Sequence, residues 1–172
     1  MKKKAISLYT EIALLMGAFG SLGLAGDGTY KNPVIPEIGP ADPSVIRYEG
    51  TYYLLYSGTG ADSLDYAIGY ATAQSPTGPF VKYLGNPIVQ RGNGALGPGH
   101  GCVVRDDAQR LWSVYHQQKD GSRPWNRFIC IDPLWFDAQG ILHGRATRGV
   151  AQSAPVVTRS RTAKHPNPGD NN

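Results

Sequence analysis

Glutamate is almost missing from this chain. Of its 172 residues only Glu11, Glu37 and Glu49 carry that side chain, so any chemistry that needs a glutamic acid must find it among those three. Cysteine is limited to Cys102 and Cys130, which excludes a scaffold stapled by several disulfides. No apolar run reaches the ~20 residues of a comfortable transmembrane helix. Charge is modest too, 17 Lys and Arg against 13 Asp and Glu for a net +4. Much of that surplus sits at the two ends, in Lys2-Lys3-Lys4 and in Arg159-Ser160-Arg161-Thr162-Ala163-Lys164. The basic balance is therefore no argument for nucleic acid, and none is expected as a partner.

What the chain does have is turn chemistry. Gly 22 and Pro 13 stand among many aromatic and β-branched residues, a composition that favours short strands and frequent turns over helices. The length is that of one domain. Met1-Lys2-Lys3-Lys4, the apolar run Ile12 to Ala25 and the small residues of Gly23-Leu24-Ala25 have the order of a signal peptide over 1–25. An amphipathic N-terminal helix is the alternative. Cleavage would remove three lysines and one glutamate, lowering the net charge from +4 to +2. It would leave a secreted or periplasmic protein with no membrane attachment. At the other end, residues 151–172 read as a disordered basic and polar tail.

Between those ends the sequence repeats itself. Gly39-Pro40-Ala41-Asp42-Pro43-Ser44-Val45-Ile46-Arg47 aligns with Gly97-Pro98-Gly99-His100-Gly101-Cys102-Val103-Val104-Arg105, an offset of 58 residues. Asn32-Pro33-Val34-Ile35 and Asn86-Pro87-Ile88-Val89 precede the two copies, and Tyr52 to Tyr56 and Leu111 to Tyr115 follow them. The alignment sets Asp42 opposite His100. Equivalent positions of a repeat face the same place, so one carboxylate and one imidazole are aimed at a common centre.

The strand pattern repeats as well. Asp42 to Tyr48, a Glu49-Gly50 turn, Tyr52 to Ser57, Tyr66 to Ala73 and Phe80 to Leu84 make four strands, the last two separated by Ser75-Pro76-Thr77-Gly78-Pro79. Gly101 to Arg105, Leu111 to Gln117, Arg127 to Ile131 and an outer segment around Leu134 to Phe136 make four more. The fold class is all-β, a partial β-propeller of about two four-stranded antiparallel blades over 26–150; a small β-sandwich is the alternative. In this order Cys102 and Cys130 lie on the first and third strands of one sheet, ~9.5 Å apart. That exceeds the ~7 Å a disulfide allows, so two buried thiols are expected unless the strand order differs.

With those segments laid out, the chain resembles glycoside hydrolase family 43, the five-bladed propeller enzymes that trim arabinan, xylan and related plant polysaccharides. Ala41-Asp42-Pro43-Ser44-Val45-Ile46 resembles the first-blade opening, and Tyr66 to Ala73 with Ser75 to Phe80 a later blade. Gly97-Pro98-Gly99-His100-Gly101, Trp112 to His116 and Arg127 to Leu134 resemble the last blade. Five blades do not fit in this length; the middle ones are lacking, with a join within Tyr52 to Tyr66.

The resemblance implies an inverting glycosidase, in which one carboxylate activates water while a carboxylic acid, ~6.5–9.5 Å away, protonates the leaving oxygen. Asp42 takes the place of the base, against the reading of a turn or capping aspartate. His100 resembles an axial histidine beside the sugar, and Arg127 an arginine reaching the central cavity; a structural His and a surface Arg are the plainer readings. His116 reads as structural. Trp125 is the candidate for stacking on a sugar, while Trp112 and Trp135 are expected between blades. No cofactor is certain, and a central calcium near His100 is the one the resemblance offers. The general acid matches none of the three glutamates; Glu37 is a weak substitute. Two functions follow. One is hydrolysis of arabinose- or xylose-containing polysaccharides or oligosaccharides, with self-association of the chain completing the propeller. The other is a non-catalytic, carbohydrate-binding half-propeller.

Overall fold

The computed structural model describes residues 40–158. The expected signal peptide, Asn32-Pro33, Glu11, Glu37 and the residues from 159 onward lie outside that range.

Strand β1 (Ala41–Tyr48) alternates exposed and half-buried positions throughout. It reverses at Glu49-Gly50, whose φ angles of 45° and 84° are the left-handed pair that suits a two-residue hairpin. Strand β2 (Thr51–Gly58) returns antiparallel, with Tyr48 opposite Thr51. After a loop, β3 (Ala67–Ala73) pairs with β2 from Ala67 opposite Gly58 to Ala73 opposite Tyr52. The Ser75 to Pro79 turn closes through Gly78 N–H on the Ser75 carbonyl at 3.0 Å. The outer strand β4 then covers only Val81–Lys82, shorter than Phe80 to Leu84. Beyond it the segment bends back towards β3, where Ile68 bridges Val89.

The second sheet copies the first: β5 (Gly99–Arg105), β6 (Leu111–Gln118), β7 (Arg127–Phe136) and β8 (Leu142–Gly144) pair antiparallel in sequence order. Each sheet is one propeller blade. One expectation needs correction here. Leu134 to Phe136 is not a separate outer strand but the end of β7, and β8 is the outer one. Proline at Pro133 does not break β7, because β8 reaches only to Leu134 and leaves the outer side of Pro133 unpaired.

The two blades close over one core formed by Tyr53, Leu55, Ile68 and Tyr70 of the first and Leu111, Tyr115, Leu134 and Leu142 of the second. Burying each large apolar side chain of this kind stabilises the fold by roughly 1.5–3 kcal/mol. Aromatic contact between the blades comes from Tyr48, stacked on Phe136 at 3.8 Å, and Tyr53, edge-on to Phe136 at 5.0 Å. It does not come from the tryptophans: Trp112 is buried, but Trp125 and Trp135 are exposed. β5 approaches the first blade so closely that it needs glycine. A Cβ at Gly101 would stand 2.7 Å from Ile68 Cδ1, and one at Gly99 would overlap the Tyr66 ring.

Both cysteines are free thiols, in keeping with their strands, yet Cys102 is exposed rather than buried. Residues 151–158, expected to begin a disordered tail, are largely exposed yet hydrogen-bond along the second blade. Val156 N–H donates to Asp106 Oδ2 at 3.0 Å, Gln152 Nε2 to Asp132 Oδ1 at 2.8 Å, and the Ala154 carbonyl accepts from Arg110 Nη2 at 3.1 Å. Tail composition did not reveal this, because the partners are carboxylates tens of residues away.

Candidate active site

Asp42 and His100 occupy matching irregularities. In both β1 and β5 the register slips, between Ala41 and Ser44 and between Gly99 and Cys102. At the slip Asp42 adopts φ 56° and His100 φ 53°. Asp and His tolerate this left-handed region better than most residues, though it still costs about 1–2 kcal/mol each. The bulges turn both side chains out of the pleat and towards each other, leaving Asp42 Oδ1 at 3.3 Å from His100 Nδ1. The pairing suggested by the repeat is thus a contact. With the His100 side chain 68% exposed, its Coulombic worth is at most ~1 kcal/mol; its value is positional.

Tyr66 completes the cluster from the end of the β2–β3 loop. Its hydroxyl donates to Asp42 Oδ2 at 2.6 Å, and burial, reinforced by that bond, pushes its pKa up. Ser57, fully buried opposite Ala41, accepts from His100 N–H at 2.8 Å and so ties β2 to the β5 bulge. Two of the carboxylate's four or so lone-pair positions are then taken, leaving room for a water on the exposed side.

His116 lies beneath. It is 6% exposed, stacks on Tyr66 at 5.8 Å and meets His100 edge-on at 6.4 Å. Its Nε2 is buried with no hydrogen-bond partner among the described residues. Burial first, then the positive field of Arg127 and His100, lowers its pKa to about 4, so it is neutral at pH 7.

Arg127 is held by the loop before it. Nε donates to the Pro124 carbonyl and Nη2 to the Ala61 carbonyl, both at 3.0 Å. Its guanidinium lies 4.5 Å over Trp125, whose ring is 71% exposed. Arg127 therefore clasps the β2–β3 loop. Gln118 Nε2 on the Ser63 carbonyl at 2.8 Å and Gly97 N–H on the Leu64 carbonyl at 2.7 Å do the same. These contacts hold Tyr66 against Asp42. Tyr66, Ser57 and His116 escaped the sequence reading of the site because their signal is contact across 16 to 50 residues. Only Tyr66, heading a motif-bearing strand, offered any hint.

The cluster holds one carboxyl group. Glu49, the one glutamate among the described residues, sits in the β1–β2 turn roughly 23 Å along the strand from Asp42, too far to act with it. A calcium ion fits poorly near His100. Calcium takes six to eight oxygens, whereas among the described residues Asp42 is the one carboxylate against that imidazole and is engaged by Tyr66. No group of three metal-ligating side chains occurs among the described residues. Two cavities, of about 650 and 470 Å³, lie elsewhere and neither is lined by Asp42 or His100.

Residues 39–142 match the model of glycosyl hydrolases family 43. A β-D-galactofuranosidase of Aspergillus niger is 36% identical over 111 residues, which are 62% of this chain and 32% of that protein. A thermostable family-43 glycoside hydrolase of known structure superposes with TM-score 0.64 at 38% identity, over 69% of this chain and 39% of the other. An endo-1,4-β-xylanase of Bacteroides thetaiotaomicron superposes at 0.59 with 30% identity, over 63% and 38%. The chain thus spans well under half the length of these relatives.

Proposed function

The chain belongs to glycosyl hydrolases family 43, and on that footing we propose that it hydrolyses O-glycosidic bonds of arabinose- or xylose-containing polysaccharides, with Asp42 as the base that activates water. The observation that carries this reading is the posture of Asp42. A carboxylate at the start of a strand is turned out by a bulge, anchored on Oδ2 by Tyr66 and faced on Oδ1 by His100. A fixed carboxylate with one open side is what a water-activating base requires. His100 would meet sugar hydroxyls beside it, and exposed Trp125 would take a sugar ring further along. The protein is proposed to act outside the cytoplasm, secreted or periplasmic, on plant-type polysaccharide.

An inverting reaction also needs an acid on the far side of the bond. Among the described residues the cluster holds one carboxyl group, and this favours a second reading, in which the same surface binds glycans without cutting them. Association of two copies is a proposed route by which an acid could arrive.

Hydrolysis of aryl α-L-arabinofuranosides, β-D-xylosides and β-D-galactofuranosides by the protein and by Asp42→Asn separates the two. The galactofuranoside is included because of the Aspergillus relative. Turnover by the parent that the variant lacks is the expected result. Equal background from both would overturn the hydrolytic reading and leave glycan binding.

A further inference from the structure

About 20 Å along β1 from Asp42, where that strand ends and β6 begins, the second blade carries the cavity of about 470 Å³. Such a volume accommodates a sugar residue or two. Its lining is aromatic and cationic: Tyr48, Trp112, Trp135 and Phe136 with Arg105, Arg110 and Arg145, and not one acidic side chain. Arg110 is committed, its Nε donating to Asp106 Oδ2 at 2.7 Å. Arg105 and Arg145 are not. Each is exposed, the hydrogen bonds they make among the described residues are long, 3.4 Å, to the Gln109 carbonyl and to Gln152 Oε1, and neither has a carboxylate partner among the described residues. Outside the lining, Glu49 follows Tyr48 in the chain and is engaged with that phenol, raising its pKa by its charge and by a hydrogen bond.

Trp135 is built as a platform. One face stacks on His143 at 5.7 Å, and His143 Nε2 is held by Asp137 Oδ2 at 2.7 Å. Asp137 is fixed in turn by the backbone N–H groups of Gln139 and Ile141, both at 2.9 Å. The indole remains 44% exposed. A rigid ring with an open face suits the C–H face of a sugar at little entropic cost, and an unpaired guanidinium suits a carboxylate in bidentate fashion.

We propose that this cavity is a second carbohydrate site, which takes a uronic acid residue of a polysaccharide with its ring on Trp135 and its carboxylate between Arg105 and Arg145. It is independent of Asp42 and of whether the chain turns over substrate. Its role is to hold acidic side-substituted glycans on the face remote from Asp42.

The test titrates the full chain, by calorimetry and tryptophan fluorescence, with a glucuronate-substituted xylo-oligosaccharide, the unsubstituted oligosaccharide and inorganic sulfate. The substituted sugar is expected to bind at least tenfold more tightly than either control. Trp135→Ala and Arg145→Gln should each weaken it tenfold or more. Arg145→Gln alters an exposed side chain and keeps the fold testable if Trp135→Ala does not. Equal affinity for the two oligosaccharides overturns the proposal. So does sulfate binding as tightly as the uronate, which would mark a plain anion site. Sedimentation in which Trp135→Ala abolishes self-association but not sugar binding overturns it as well, because the indole would then serve an interface between copies.

Discussion

Lowering the pH from 7 to 5 should destabilise this protein through one buried imidazole. His116 has a folded pKa of about 4 against an ordinary 6.5. Because the folded value is depressed, the unfolded chain binds more protons in this range. The stability His116 confers is therefore whole above pH 6.5 and is lost as pH falls towards 4. At pH 5 only about a tenth of folded molecules would carry the proton, whereas nearly all unfolded ones would. The linkage then amounts to about 2 kcal/mol between pH 7 and 5, and about 3 kcal/mol by pH 4. His116→Phe keeps a ring against Tyr66 and removes the titration. Urea unfolding of both proteins at pH 7 and pH 5 isolates the effect, since the other histidines and the carboxylates are common to the pair. The parent should lose about 2 kcal/mol more than the variant on acidification. Parallel losses would show that water or a hydrogen-bond partner reaches Nε2, and the account of a desolvated imidazole would be wrong.

Tyr66→Phe keeps the ring on His116 but removes the donor to Asp42. A loss of about 1–2 kcal/mol is expected in chemical denaturation, typical of a hydrogen bond to a charged group that water can partly replace, and no loss would deny Tyr66 its anchoring role. Asp106, 1% exposed as a side chain, is raised by burial but brought well below the ordinary 3.8 by bonds from Val156 N–H, Arg110 and Trp112 Nε1. Its stabilisation is therefore present above about pH 4 and lost as pH falls further. Asp106→Asn should flatten the acid-unfolding limb below pH 4 and open residues 151–158 to proteases at pH 7; unchanged digestion there would detach that segment from Asp106.

The repeat was readable because it is local. A 58-residue offset, a Glu-Gly hairpin turn and alternating apolar positions each reside in short windows, and the two blades follow from them. The third strand of the second blade was read too short, ending at Ile131; the pairing of β6 with Arg127 to Leu134 and the reach of β8 show that it runs on through Pro133 to Phe136. Trp135 was misplaced because its surroundings are not local either. Large aromatic residues are expected inside, but which aromatic residues lie between blades depends on which face of each strand meets the other sheet. That choice gave Tyr48, Tyr53 and Phe136 the inter-blade contacts and left Trp135 in the open.

Residue types and their spacing determined the all-β blades and the opposition of Asp42 to His100, because propensity, turn chemistry and repeat alignment are properties of the chain read along its length; the family followed from the likeness of its motifs to known ones. Tertiary structure alone decided what surrounds that pair. Tyr66 on Asp42, Ser57 on the His100 amide, Arg127 turned to the Ala61 and Pro124 carbonyls, and His116 buried neutral all depend on the angle at which one blade meets the other. So does the cationic cavity at the far end. Apart from the bond of Arg127 to Pro124, the contacts around that pair join residues 16 to 66 positions apart, and no local rule specifies a distance across such a span.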